Sequence, residues 1–170
     1  MKKEKAIEIL KADHKKLAGV LDLLSPGQPE EVKVLGEWTT KDIIAHLIEW
    51  NWEYLAEIER ILADKATWHK VCESKEQEDE FNRKAAEKWR TKSFKEVLDE
   101  WEKSFQVAIK MVEKLTNEEW NHQSNKDTWS NGDPVTIYSL FDYEYEGTSH
   151  EGGHAKQIRE FFKSKEFLKL

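Results

Sequence analysis

Four segments of this chain repeat apolar residues every three or four positions, and that spacing restricts the chain to a set of amphipathic helices. The first segment runs from about Lys2 to Leu24, and the second from Thr39 or Thr40 to Leu62. The third opens at Ser93 and reaches Leu115, and the fourth extends from about Val135 to Lys163. Four long amphipathic helices with one long crossover region predict an all-α four-helix bundle.

Local signals indicate where these helices begin and which segments stay irregular. A Ser or Thr lies three residues before a polar side chain, the spacing of a capping box, at three predicted starts: Thr39 with Asp42, Ser74 with Gln77, and Ser93 with Glu96. The second pair predicts an additional short helix, from about Glu76 to Trp89, between helices 2 and 3. No alternating strand pattern is visible, and Thr116–Pro134 is predicted to be the longest irregular region.

Composition and charge restrict the compartment and the partners. A length of 170 residues suits one domain spanning residues 1–170, and 36% of these residues are charged, as expected for a soluble helical protein. The net charge of −7 argues against nucleic acid as a partner. The apolar runs are too short to span a membrane, and the start resembles no signal peptide. With the single thiol of Cys72, these features predict a cytoplasmic protein without membrane or nucleic-acid partners.

Three histidines form the strongest candidate site. His150 and His154 stand four residues apart on the apolar side of predicted helix 4, so their rings project from one face about one turn apart. His46 lies at the edge of the apolar arc of predicted helix 2. Two ligands from one helix and a third from another, with a position left for water, are typical of a catalytic metal site. The alternative is that all three are core histidines that make ordinary hydrogen bonds.

Three glycines accompany the two histidines of helix 4, at positions 147, 152 and 153. Inside a helix each costs about 1 kcal/mol relative to alanine. Their concentration around His150 and His154 indicates close packing of another element or room for a ligand.

Further residues are expected to line the pocket of this site. Trp50 and Asn51 follow His46 on helix 2, although Asn51 is alternatively a hydrogen-bonded core amide. Tyr143 lies about two helical turns before His150, where it can donate a proton or line the pocket. Three other histidines have weaker claims and are interpreted as surface or pocket-rim groups: His14, His69 and His122.

Three motifs occur in a fixed order: GEWTTKDIIAHLIEW at 36–50, FNR at 81–83 and HEGGHAKQI at 150–158. In order and spacing they resemble the DinB-like superfamily, and specifically its ClbS/DfsB branch. The resemblance implies a bundle of up-down-down-up topology with a divalent metal held by His46, His150 and His154. Related families use that site for thiol-dependent chemistry, such as mycothiol- or bacillithiol-dependent transfer and isomerisation, and the branch is named for a member that protects its producer from a genotoxin.

The sequence therefore favours a metal-dependent hydrolase or thiol-dependent transferase that acts on a reactive small molecule, as in detoxification or self-protection. The expected cofactors are zinc or nickel, with iron as a further candidate, and a low-molecular-weight thiol. Two alternatives stay open: a non-catalytic module that binds a small molecule or metal, and a stress-related protein with no open site. A homodimer is compatible with each of these three interpretations.

Overall fold

A computed structural model of the chain describes residues 1–67, 74–128, 132–140 and 148–165. Four long helices form the body of this structure: α1 (Lys3–Leu21), α3 (Thr40–Leu62), α5 (Phe94–Lys114) and α7 (His150–Ser164). Shorter elements connect them: α2 (Gln28–Glu31), β1 (Lys33–Leu35), β2 (Trp38–Thr39), α4 (Lys75–Trp89), α6 (Asn117–Trp120), β3 (Gln123–Thr128), β4 (Pro134–Thr136) and a 3₁₀ turn (Tyr138–Leu140). The four-helix bundle with an inserted short helix, α4, is confirmed.

The predicted capping signals start the helices where the sequence places them. The Thr39 side chain accepts a hydrogen bond from the backbone N–H of Asp42, whose carboxylate accepts one from the backbone N–H of Thr39. Ser93 and Glu96 form the same reciprocal pair at the start of α5. Each pair satisfies two backbone donors that the first turn of a helix leaves without a partner inside the helix.

Two apolar clusters stacked along the bundle determine the direction of each helix. The upper cluster contains Leu17, Val20, Leu21, Val34, Ile43, Ile44, Leu47, Ile48, Val97, Trp101, Ala155, Ile158 and Phe162. The lower cluster contains Ala6, Ile58, Ile61, Val112, Leu115, Trp120, Val135, Ile137 and Leu140. Thus α1 rises from the lower to the upper cluster, and α3 and α5 descend. α7 ascends beside α1, because Ser149 before its first turn bonds to Asp13 midway along α1 and its later residues pack in the upper cluster. This order is the up-down-down-up topology that the resemblance implies.

The predicted fourth helix is wrong in its first part. Residues 134–136 form strand β4, which pairs antiparallel with β3, and the 3₁₀ turn follows. Val135 and Ile137 are both fully buried in the lower cluster, and apolar residues two positions apart reach one side of an extended chain rather than one face of a helix. Residues 141–147, with Tyr143 and Gly147, lie outside the described residues.

A second hairpin precedes α3 and was also missed, because its strands are too short to show alternation. Strands β1 and β2 pair antiparallel, with Leu35 opposite Trp38. Gly36 in the turn between them has a φ of +57°, a left-handed conformation that glycine adopts without steric cost. The expectation that the chain contains no strand is therefore wrong for these two small hairpins.

In the described ranges, every helix is either too short or too polar to cross a lipid bilayer.

α1 and α7 approach most closely where Asp13 meets the first turn of α7. The buried Asp13 carboxylate accepts a hydrogen bond of 2.7 Å from the backbone N–H of Ser149, the residue that caps α7. A Cβ atom built on Gly152 would lie 2.4 Å from Asp13 Oδ2. Glycine at 152 is therefore explained by close packing. A Cβ atom built on Gly153, by contrast, would meet no atom of another part of the protein within 4 Å.

This contact predicts opposite effects for two adjacent glycines. Gly152→Ala should destabilise the protein by about 1–3 kcal/mol, because the short, buried Asp13 side chain must move and gives up its bond to Ser149. Gly153→Ala, the matched control, should stabilise it by up to about 1 kcal/mol. Urea unfolding of both variants measures the difference, and equal stability of the two would contradict the packing argument.

Candidate metal centre

Three imidazole nitrogens converge where α3 passes the start of α7. The Nε2 atom of His150 lies 2.9 Å from Nε2 of His46 and 3.1 Å from Nε2 of His154. One ring nitrogen from each of the three residues lies within 4.8 Å of the other two. The structure thus brings together all three of the predicted histidines.

The local sequence explains how each ring reaches this point. His46 lies in the buried run 43–48 of α3, which is fully inside the bundle. His150 is the first residue of α7 and His154 follows one turn later on the same face. Side-chain amides lie behind two of the rings: Nδ1 of His46 is 3.0 Å from Asn82 Oδ1, and Nδ1 of His154 is 3.0 Å from Gln157 Oε1.

The electrostatic environment keeps these rings uncharged. Burial, followed by the charge of His154, lowers the pKa of His46 to about 3. Burial also lowers the pKa of His150 well below 6.5, and it lowers the pKa of His154. A histidine must be neutral to bind a metal, so all three are in the competent state at pH 7.

The donor set fits a divalent transition metal. In the neutral rings, Nε2 of His150 lies within hydrogen-bonding distance of Nε2 of His46 and of His154, and a cation held between the three nitrogens would replace these contacts with stronger attraction to their lone pairs. Three imidazoles on a tetrahedral zinc ion would hold their nitrogens ~3.3 Å apart, close to the distances seen. Zinc, nickel and iron all accept imidazole ligands.

A cavity of about 590 Å³ opens beside the three histidines. Its walls come mainly from α3 and α4, and they combine aromatic rings near the histidines with charged groups on α4: Leu35, Trp38, Trp50, Tyr54, Lys75, Glu78, Asp79, Asn82 and Arg83. The indole of Trp38 meets the His46 ring edge-on at a centroid distance of 5.4 Å. The volume lies in the range of small-molecule sites.

The other predicted site residues are placed differently. Trp50 lines the cavity, with its ring 5.8 Å from that of His150. Asn51 does not, because its amide donates a hydrogen bond of 3.1 Å to Ser104 Oγ in the bundle interior. The core-amide alternative therefore describes Asn51, and its expected place in the pocket is wrong. Tyr143 lies outside the described residues and stays a prediction.

His14, which the sequence analysis places on the surface or the rim, is buried on α1. Its Nδ1 lies 2.8 Å from Glu151 Oε2 and its Nε2 lies 2.9 Å from Glu102 Oε2. The imidazole of His14 stacks on the phenyl ring of Phe105, with the two ring centroids 3.7 Å apart. A usable signal was present in the sequence, because Leu10, His14, Leu17 and Leu21 share the helical spacing of one apolar stripe.

The two carboxylates determine the charge of His14. Burial alone lowers the pKa of the imidazole, but hydrogen bonds and the charges of Glu151 and Glu102 outweigh burial and raise it above 6.5. The hydrogen bond from His14 in turn lowers the pKa of Glu102. His14 therefore carries a proton over a wider pH range than a free histidine, in contrast to the three site histidines.

This network fixes the first turn of α7 from the side opposite the metal centre. The buried Glu151 also accepts a hydrogen bond of 2.8 Å from the indole N–H of Trp101 on α5. Glu151 is held by α1 and α5, while its neighbour His150 faces α3. The ion pair and the Asp13–Ser149 bond together set the position of both histidines of α7.

Comparison with known proteins was informative at the level of the family. The family model of the DinB superfamily matches residues 9–158 of this chain. The comparison with curated protein sequences gave no match.

Several solved structures share the fold. An uncharacterised protein from Escherichia coli UTI89 has a TM-score of 0.72 at 14% identity, with 99% of this chain and 96% of that chain covered. A Streptococcus pneumoniae protein has a TM-score of 0.73 at 15% identity, and the match covers 96% of this chain and 91% of that chain. The colibactin self-resistance protein ClbS, solved in complex with a dsDNA, has a TM-score of 0.72 at 13% identity, covering 95% of both chains.

The ClbS complex corrects the expectation of no nucleic-acid partner. That expectation rested on the net charge of −7, which is a property of the whole chain. A protein of the same fold has been solved with double-stranded DNA, so the fold is no reason to exclude this partner. Binding depends on where cations lie on the surface rather than on their total.

His14 generates a prediction with a defined pH dependence. Because its pKa is raised on folding, its stabilising contribution is complete below pH 6.5 and is lost as the pH rises through the folded-state pKa. His14→Gln should therefore cost about 3 kcal/mol at pH 6, where it leaves Glu151 buried beside a neutral group, and clearly less at pH 9.

Urea unfolding of both proteins at the two pH values measures this difference. The three site histidines, whose pKa values are lowered, are present in both proteins and cancel in the comparison. A cost that is the same at pH 6 and pH 9 would contradict the assignment of a charged His14.

Proposed function

The chain belongs to the DinB superfamily, and on that premise we propose that it is a metal-dependent enzyme that acts on a reactive small molecule. The reaction is either hydrolysis of this molecule or transfer of a thiol to it. Its role is detoxification or self-protection, and it takes place in the cytoplasm. The observation that carries this proposal is the convergence of three neutral imidazole nitrogens on one point at the end of a cavity. Zinc or nickel is the proposed metal, with iron as a further candidate.

When bound, the metal would supply Lewis acidity that lowers the pKa of a coordinated water to near 7, or it would bind a thiol as the thiolate. His46, His150 and His154 would hold it, and their neutral state means that no proton has to be displaced from them. Three protein ligands leave a position free for a reactant, as in catalytic rather than structural sites.

The cavity walls support a substrate with an apolar body. Trp38, Trp50 and Tyr54 present aromatic surface beside the histidines, which accommodates a flat or cyclic group. Tyr143 stays the proposed proton donor.

The rim of the cavity supports a charged co-substrate. Lys75 and Arg83 on α4 lie among acidic neighbours, including Asp79 at 2.6 Å from Lys75 Nζ. A rim with charges of both signs is suited to a low-molecular-weight thiol that carries carboxylate and ammonium groups. Such a thiol would extend from the rim, with its sulfur toward the histidines.

The proposal predicts turnover that depends on the three histidines. Metal-free protein loaded with one equivalent of zinc should open a model epoxide, and mass spectrometry distinguishes the diol of a hydrolase from the thioether of a transferase when cysteine or glutathione is added. His150→Ala should lose both the stoichiometric zinc and the product while its helical content stays unchanged. His122→Ala is the matched control, because the His122 ring lies 3.5 Å from the Asp64 carboxylate and does not line the cavity.

Tight binding of the epoxide or thiol with no change of mass would replace the enzyme with a binding module. Zinc retained at one equivalent by His150→Ala would contradict the proposed ligand set.

A second function, binding of double-stranded DNA, is supported by the ClbS complex. Titration of a fluorescein-labelled duplex with this protein should raise the anisotropy at 50 mM salt and lose affinity steeply at 200 mM, because released counterions drive such binding. No change at 50 mM salt, with a DNA-binding protein as positive control, would remove this function for the duplex tested.

A further inference from the structure

Asn82 lies outside the four-helix bundle but reaches its metal centre. It is on α4, and its Oδ1 atom lies 3.0 Å from Nδ1 of His46 and 3.0 Å from Nε1 of Trp50. The same Trp50 nitrogen is 3.1 Å from His46 Nδ1, so the three atoms form a triangle. No assignment of hydrogen atoms turns all three contacts into hydrogen bonds, because each leaves one pair of two donors or two acceptors.

Trp50 determines the orientation of the Asn82 amide. An indole Nε1 always carries hydrogen and can only donate a hydrogen bond. The Asn82 atom that faces it must therefore be the carbonyl oxygen, because the amide nitrogen would place two donors against each other. The orientation of the Asn82 side chain is set by its neighbour and is not a free choice between two equivalent ends.

Asn82 in turn determines the tautomer of His46. Its carbonyl oxygen can only accept, so the 3.0 Å contact is a hydrogen bond only when His46 Nδ1 donates. The Trp50 hydrogen is then donated to Asn82 Oδ1 and not to His46 Nδ1. A neutral imidazole carries one hydrogen, and Nε2 is then left with a lone pair. That lone pair faces Nε2 of His150 at 2.9 Å, at the point where a metal would be held.

Without the Asn82 oxygen the preference would reverse. Of the two hydrogen-bond partners described at His46 Nδ1, only the Trp50 indole would remain, and it is a donor. His46 Nδ1 would then accept, and the ring hydrogen would move to Nε2. This hydrogen would point at His150 Nε2 and block the lone pair that a metal ligand needs.

Packing of α4 on α3 fixes Asn82 at this position. Ala85 and Ala86 of α4 are buried, and the indole of Trp89 donates a hydrogen bond of 2.9 Å to Glu49 Oε1. Lys88 Nζ lies 2.8 Å from the same carboxylate oxygen. The oxygen that orients His46 is therefore supplied by an element whose position depends on α3 itself.

We propose that Asn82 is a positioning residue that selects the metal-binding tautomer of His46 against the competing donor Trp50. The proposal rests on the proposed metal site, because a tautomer matters for function only where Nε2 is a ligand. It assigns the inserted helix α4 a role in assembling the centre, and it assigns Trp50 a role that opposes metal binding while it orients Asn82.

The direct readout is the tautomer of His46 in the metal-free protein at pH 7, from long-range ¹H–¹⁵N NMR correlations of the imidazole rings. In the unmodified protein, Nδ1 of His46 should show the pyrrole-type shift of a protonated nitrogen and Nε2 the pyridine-type shift. Asn82→Ala should exchange the two. Asn82→Asp, whose carboxylate accepts hydrogen bonds as the amide oxygen does, should keep the original pattern.

Zinc affinity by competition with a chromophoric chelator gives the second readout. Asn82→Ala should weaken binding tenfold to a hundredfold, and Asn82→Asp should bind zinc at least as tightly as the unmodified protein. Adding Trp50→Phe to Asn82→Ala removes the competing donor and should recover part of the affinity. A merely structural role of Asn82 would predict further loss in the double variant.

Two results would overturn the proposal: an Nε2–H tautomer of His46 in the unmodified protein, or an Asn82→Ala variant with unchanged tautomer and affinity. Failure of the metal site itself is distinguishable, because the unmodified protein would then bind no zinc while its His46 tautomer could still be read by NMR.

Discussion

Three neutral imidazole rings that converge in the interior of a bundle, with Nε2 of His150 about 3 Å from Nε2 of each of the other two, are the constraint on which the rest of this structure depends. Such an arrangement is unfavourable by itself, because burial removes three polar rings from water and lowers their pKa values, so that each ring stays neutral and can donate only one hydrogen bond. It persists because rigid surroundings hold each ring, which is typical of functional sites rather than of cores optimised for stability.

The first turn of α7 is where these surroundings meet. On one side, Asp13 of α1 accepts a hydrogen bond from the backbone N–H of the capping residue Ser149, and Gly152 permits the close approach that this bond requires. Glu151 extends into the charged network with His14 and Trp101. On the other side, His150 and His154 face α3. The bundle therefore contains two histidine environments of opposite character, a charged ring that anchors α7 and three neutral rings that converge on a common point.

The sequence predicted the parts of this arrangement that depend on short-range spacing. Capping pairs such as Ser93 with Glu96, the four-residue spacing of His150 and His154, and the apolar stripes that orient them are all local signals. What depends on contacts between distant segments was misjudged. The local pattern predicts His14 at the surface or the pocket rim, because its buried partner Glu151 is 137 residues away. Asn51 was placed in the pocket although Ser104 binds it in the core. Val135 and Ile137 lie in a segment too short to show strand alternation, and their strand depends on pairing with β3 and packing in the lower cluster.

The central claim is that His46, His150 and His154 together bind one divalent metal ion through Nε2. Anomalous diffraction from crystals grown with one equivalent of zinc, recorded on both sides of the zinc absorption edge, tests it most directly. The account predicts a single strong peak about 2.0–2.1 Å from each of the three Nε2 atoms. A peak bound by other residues, or no peak while the three rings keep their positions, would contradict it.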